Sequence, residues 1–327
     1  MKIAENIDSK NINFNYLDKI NNTLLIIQNT KKTLKLTEWF AQNRDFLIQA
    51  ITTYGGALLR GFDINGVSEF NQCVKSMSSN LLDYTFRSTP RSRLGGNIFT
   101  ATEYPANRVI PMHNENAYTK NWPRYIFFFN VIEADEGGET PISDSRRVYN
   151  KIDLDIRHKF EDKKLLYVRN YHDSIDLSWQ EVFQTEERDM VNAYCDRFGI
   201  NYSWNSTGSI LTTKELCQAS LSHPITGEMI WFNQAHLFHP SSLPKGNYEC
   251  LVVALGLEYL PRNVFYGDGT TIKPKDLKHI LDVYESEKLT FRWQRGDLMV
   301  LDNMLLAHGR EPFKGQRKVA VAMTGDF

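Results

Sequence analysis

The sequence predicts a mainly β chain with α elements: a barrel or double-sheet core, helices packed outside it and a helical insertion at about 145–225. Three observations carry this expectation. Short apolar runs recur toward both ends of the chain, the middle switches to helical spacing, and no internal repeat or Pro/Gly-rich linker marks a boundary. The 327 residues therefore read as a single domain, 1–327.

Residues 34–53, LKLTEWFAQNRDFLIQAITT, place Leu36, Trp39, Phe40, Phe46, Leu47 and Ile51 at helical intervals, and the YGG that follows stops the helix. ALLRGF (57–62) then reads as a buried strand. Further strand-like runs are NIFTAT (97–102), RVIPMH (108–113), RYIFFFNVIEA (124–134) and MIWFNQ (229–234). ECLVVALGLEYL (249–260), LTFRW (289–293), LMVLDN (298–303) and RKVAVAMT (317–324) complete the set. DSRRVYNKI, SWQEVFQT and ERDMVNAYCDRFG carry helical spacing, as does KPKDLKHILDVYESE (273–287).

A hydrophobic share of 42% is enough for a core, and a formal charge of −1 leaves no global field for nucleic acid or an anionic membrane. No apolar run approaches the ~20 residues of a membrane helix. The polar start, MKIAENIDSKNINFNYLDKINN, lacks the apolar stretch of a signal peptide. Cys73, Cys195, Cys217 and Cys250 lie far apart with no C-x-x-C, as expected of reduced, mostly buried thiols in a cytoplasmic protein.

VIPMHNENAY (109–118) ends a strand-like run with His113 and Glu115, which project to one face if the strand continues. Eight His and 39 Asp+Glu predict about one H-x-[DE] by chance, so the pair alone is either a hydrogen-bonded couple or two-thirds of a metal site. RGDLMVLDNMLLAHGREPFKGQRKVAVAM (295–323) supplies His308 after an apolar strand, with Arg317 opening the next one. Two His and one carboxylate on one face of an octahedral ion leave three positions open, which suits Fe(II) with a bidentate co-substrate and O2. EGGETPISDSRRVY (136–149) sets the Thr140 hydroxyl at a sheet end. A dicarboxylate chelating iron needs its far carboxylate neutralised, and an Arg fork such as Arg317, with Thr140, suits that task.

Taken together, GALLRGF, TEYPANRVIPMHNENAYTKNWP, GGETPISDSRRVY, HPITGEMIWFNQAHLFHPSSL, NVFYGDGTTI and the 295–323 segment span about 56–324. In order and content they resemble the TauD/TfdA family of Fe(II)- and 2-oxoglutarate-dependent dioxygenases, and within it the clavaminate-synthase-like branch, which uses Glu as the acidic ligand. The resemblance implies a double-stranded β-helix (jelly-roll) core. It implies His113, Glu115 and His308 as catalytic iron ligands, and Arg317, helped by Thr140, as the anchor for 2-oxoglutarate, with O2 as second co-substrate. Several relatives carry a longer loop before the Arg, which makes Lys318 the fallback anchor.

The implied reaction releases succinate and CO2 and hydroxylates an unactivated C–H. Halogenating relatives lack the acidic ligand, so Glu115 favours hydroxylation here. Similarity to the syringomycin-pathway aspartate hydroxylase type points to an amino acid or amino-acid-derived substrate in specialised-metabolite biosynthesis, free or tethered to an acyl or peptidyl carrier protein. Desaturation or cyclisation with the same cofactors stays open, as does a non-catalytic jelly-roll binding protein. Candidate substrate contacts are Asn97, Glu103 and Asn116, which flank the metal strand, Asn233 in WFNQAHLFH beside Gln234, His236 and His239, and Arg310. Asn233 and its neighbours read equally as satisfied core groups, and Arg310 equally as a loop tie. Arg87, Arg91 and Arg93 read as a solvated face, or as the landing place of a phosphopantetheine arm or acidic carrier.

Overall fold

Residues 125–132, YIFFFNVI, lack a polar alternation because the strand they form is covered on both faces. The computed structural model describes residues 11–31, 34–83, 86, 88–172 and 175–325. Its N-terminal part runs β1 (Ile12–Asp18), β2 (Thr23–Asn29), α1 (Leu36–Tyr54), β3 (Gly56–Arg60), α2 (Gly66–Met77), β4 (Arg93–Gly95) and β5 (Ile98–Thr100). Then come β6 (Ile110–His113), β7 (Tyr125–Ile132), β8 (Glu136–Gly137) and β9 (Ile142–Asp144). The C-terminal strands are β16 (Leu298–Asp302), β17 (Leu306–Arg310), β18 (Phe313–Lys314) and β19 (Lys318–Thr324).

An eight-stranded sheet takes the order β1-β2-β3-β16-β7-β19-β5-β4, with β2–β3 parallel. The period of two along its central strands feeds two cores at once. Phe127 and Phe129 of β7, Leu298 and Val300 of β16, and Ala320 and Ala322 of β19 pack under α1 and α2. Their neighbours Phe128, Met299, Leu301 and Val321 face the other way, against Ile142 and Leu306 of a three-stranded sheet ordered β6-β17-β9. Two sheets closing on one apolar layer make the jelly-roll core, with β8 and β18 paired at its rim.

The middle of the chain departs from the helical expectation. It carries α3 (Ser145–Lys151), α4 (Leu154–Lys163), α5 (Trp179–Phe183) and α6 (Arg188–Phe198), but also β10 (Leu165–Tyr171), β11 (Asn201–Trp204) and β12 (Leu211–Cys217). These strands join β15 (Arg262–Tyr266) in the order β11-β12-β10-β15, and β13 (Ser220–Ser222) pairs with β14 (Met229–Trp231). The alternation in LTTKELC is real, but its inward positions include Thr213 and Glu215, so hydrophobicity alone hides it. Two other strand expectations fail. Residues 249–260 form most of α8 (Lys245–Leu255) and a 3-10 turn at Leu257–Tyr259, after α7 (Ala235–Phe238). A continuous apolar run has no period to separate helix from strand, and Pro244 at the helix start, with Gly256 at φ 82° at its end, decides for helix. LTFRW makes only a single bridge, Leu289 to Ile142, after α9 (Pro274–Ser286).

Buried polar groups fix the segment between β6 and β7 against the β16–β17 turn. Asp302 accepts from Arg124 Nε at 2.9 Å, Met304 N at 2.9 Å and His223 Nε2 at 3.1 Å. Asn303 Oδ1 accepts from Glu115 N at 2.7 Å, and its Nδ2 donates to the Glu115 and Pro123 carbonyls at 2.9 Å each. Gln234 donates to the Asn114 carbonyl at 2.6 Å, and His236 Nε2 donates to the Met112 carbonyl at 2.8 Å. Gln234 and His236 therefore act as core polar groups.

Two expectations follow. Asp302→Ala removes a fully buried carboxylate from the Arg124 and His223 network, and should cost about 3–5 kcal/mol in urea unfolding of the metal-free protein. A loss below about 1 kcal/mol would show that this network does not hold the turn. Burial pushes the His236 pKa down to about 4, against about 6.5 in the unfolded chain. The unfolded state binds the proton first as the medium turns acid. The contribution of His236 is therefore complete above pH ~6.5 and is lost as the pH falls toward about 4, by roughly 3 kcal/mol. Urea titrations across that window should be flatter for His236→Gln, and an unchanged slope would refute the assignment.

Candidate metal centre

The antiparallel pairing of β6 with β17 sets His308 directly opposite His113. Their ring centroids are 4.6 Å apart, and Glu115 Oε2 lies 3.8 Å from His308 Nε2. One ligand atom from each of the three falls within 4.8 Å of the others. Glu115 sits in the turn just past β6, so its longer side chain bends back to the imidazoles instead of continuing a strand. His113 Nδ1 donates to the Pro111 carbonyl at 2.8 Å, which leaves Nε2 as the lone-pair nitrogen. Phe128 packs edge-on against His308 with centroids 4.9 Å apart.

Burial lowers the pKa of His113, and lowers that of His308 well below the usual imidazole range with His113 adding to the effect. Both rings are therefore neutral near pH 7, the form a metal requires. Two imidazoles and a hard carboxylate, with no thiolate beside them and one side facing a cleft, fit a divalent iron ion. His308 Nδ1 is buried without a hydrogen-bond partner among the described residues, so no bond to a neighbour competes for that ring's orientation.

The same cleft wall carries groups suited to an anion. Arg317 donates Nε to the Gly138 carbonyl at 2.8 Å and Nη2 to Thr140 Oγ1 at 3.2 Å. Trp293 Nε1 also donates to Thr140 Oγ1, at 3.0 Å, so the hydroxyl accepts twice and its own proton is left to donate. Gly138 has φ 74°, and a Cβ there would meet Arg317 Cδ at 2.9 Å. Burial, then the nearby Arg310, push the Arg317 pKa down to about 10, so it stays charged at neutral pH.

The sequence-derived substrate candidates scatter. Arg310 reaches the cleft wall, but it donates to the carbonyls of Tyr104, Pro105 and Arg108 at 2.9, 2.6 and 2.7 Å, tying that loop down. Asn97 donates to the Leu81 carbonyl at 3.2 Å, and exposed Glu103 accepts from Thr100 at 3.1 Å. Asn116 accepts from Tyr118 at 3.2 Å, and Asn233 serves the backbone of Ala219 and Ala235. None of these four is among the described residues that wall the cleft. Of the basic string, Arg93 is exposed on Asp83, Arg87 lies outside the described residues, and Arg91 is no solvated residue at all. Arg91 is buried, walls the cleft and donates to Glu115 Oε2 at 2.7 Å. Only the fold reveals it, because 24 residues separate the pair.

The family model described as "Taurine catabolism dioxygenase TauD, TfdA family" matches residues 23–323. The dapdiamide synthesis protein DdaC of Enterobacter agglomerans is 40% identical over 275 residues, covering 84% of this chain and 83% of that one. A clavaminate synthase-like protein of Arabidopsis thaliana is 29% identical over 298 residues, covering 88% and 86%. PvcB of Pseudomonas aeruginosa shares the fold with a TM-score of 0.56 at 15% identity, over 98% of this chain and 93% of that one. PvcB is described as an Fe, alpha-ketoglutarate dependent oxygenase from an isonitrile synthetic pathway. No helix of the described residues is long and apolar enough to cross a membrane. The chain belongs to the TauD/TfdA family, as an Fe(II)- and 2-oxoglutarate-dependent oxygenase.

Proposed function

We propose that this oxygenase hydroxylates an unactivated C–H of an amino acid, or of an amino-acid-derived group carried on an acyl or peptidyl carrier protein, in specialised-metabolite biosynthesis. The observation that carries the reading is the convergence of His113, Glu115 and His308 beside a cleft that Arg317 and Thr140 also wall. DdaC and PvcB, both named for biosynthetic pathways, support the metabolic setting. The whole chain acts as one catalytic domain in this reading.

Bound iron with 2-oxoglutarate and O2 supplies the oxidant for the C–H bond and releases succinate and CO2. The chain's own tasks are holding and aiming. His113, Glu115 and His308 would hold the ion with two imidazoles and a carboxylate. Arg317 and the Thr140 hydroxyl hold the distal carboxylate of the co-substrate. Ile110, Ala101 and Phe128 give the cleft an apolar lining, which strengthens the charge contacts beside it.

Anaerobic Fe(II) and 2-oxoglutarate should give a weak visible charge-transfer band that His308→Ala abolishes; a band surviving in the variant would remove His308 from the ligand set. Arg317→Gln should raise the KM for 2-oxoglutarate about 10- to 100-fold, the worth of a lost charge-assisted hydrogen bond. The substrate assignment is read by succinate release against a panel of free and carrier-loaded amino acids with iron and ascorbate. Silence across the entire panel would end the amino-acid reading.

A further inference from the structure

We infer that Arg91 competes with the metal for Glu115: its guanidinium holds the carboxylate in the metal-free protein and releases it when a divalent cation enters. The inference rests on His113, Glu115 and His308 being the metal ligands, and goes on to ask what balances Glu115 before metal arrives.

The geometry supplies the answer. Both side chains are buried, and Arg91 Nη2 donates to Glu115 Oε2 at 2.7 Å. That same oxygen is the one 3.8 Å from His308 Nε2. The guanidinium is thus bonded to the carboxylate oxygen that faces the second imidazole, where a cation between the three ligands would draw on it. A divalent ion and a guanidinium at one oxygen repel each other strongly in a site shielded from water. A carboxylate has lone pairs for both, but this repulsion favours release of the guanidinium. Arg91 has somewhere to go, because it also forms part of the wall of the open cleft. Moving there, it brings a positive charge into the space where a small molecule binds. A purely supporting neighbour would behave in the opposite way, since removing a partner that props a ligand costs metal affinity.

The sign of one measurement therefore separates the two roles. Anaerobic Co(II) titration should show Arg91→Gln binding at least about tenfold more tightly than the parent, whereas Arg91→Lys, which keeps the cation, stays near the parent value. The metal-free Arg91→Gln protein should have a lower Tm, because the buried carboxylate loses a charged partner, and a larger rise in Tm on adding Co(II). Equal or weaker Co(II) binding by Arg91→Gln overturns the inference. If that variant does not fold, crystals of the parent with and without Co(II) decide: the Arg91–Glu115 contact must lengthen beyond hydrogen-bond range on loading, and an unchanged contact refutes the idea. A parent that binds no Co(II), or whose binding survives His308→Ala, would instead sink the metal-site reading and this inference with it.

Discussion

One antiparallel pairing underlies the site: β17 lies against β6 with His308 opposite His113. Side chains alternate along a strand, so a slip of one residue would turn His308 to the other face and leave Glu115 with a single imidazole. The register is secured from outside the pairing itself. Asp302 and Asn303 shape the turn that launches β17, and Asn303 at the same time grips the backbone of Glu115. Gly309 permits the close approach of the two strands, since a Cβ there would come within 2.7 Å of the Ile110 carbonyl oxygen. Turn, strand pair and proposed ligands therefore form one mechanical unit.

Charge is concentrated locally in a chain whose formal net charge is only −1. Arg91, Arg310 and Arg317 converge on one cleft beside the single carboxylate of Glu115. Buried guanidiniums are costly unless each finds acceptors, and here they do. Arg310 meets three loop carbonyls, Arg91 meets Glu115, and Arg317 meets a carbonyl and a hydroxyl. Burial and the neighbouring Arg310 both work against the charge of Arg317. A dianion beside Arg317 would relieve both, so this electrostatic tension favours an anionic ligand there.

The proposed ligands were legible because iron demands particular side chains at strand ends, and VIPMHNENAY and LLAHG present them there. The central strands were legible for a different reason: burial on both faces makes continuous apolar runs. Where one face is polar or the run is isolated, the signal fails. Thr213 and Glu215 disguised β12, and the uniform apolar face of 249–255 disguised α8. Arg91, Asn303 and Gln234 were illegible as a positioning set because each acts on a backbone or carboxylate brought to it by tertiary structure. Nothing in an arginine's immediate neighbours says that it is buried.

The cleft wall is divided between strongly and weakly constrained parts of the fold. His113, Phe128, Thr140, His308 and Arg317 stand on or beside the strands of the jelly roll and cannot be moved without disturbing its pairing. Arg91, Ala101 and Thr102 come instead from the short-stranded stretch 91–102, which meets the large sheet through β5 and β4 at its edge. A segment with few ladder bonds tolerates exchange of its side chains far better than a central strand does. The residues proposed to hold iron and 2-oxoglutarate are therefore bound to the fold, whereas another part of the cleft wall is carried on a less constrained stretch. Such an arrangement lets one scaffold keep its chemistry while its relatives diverge in what they oxidise.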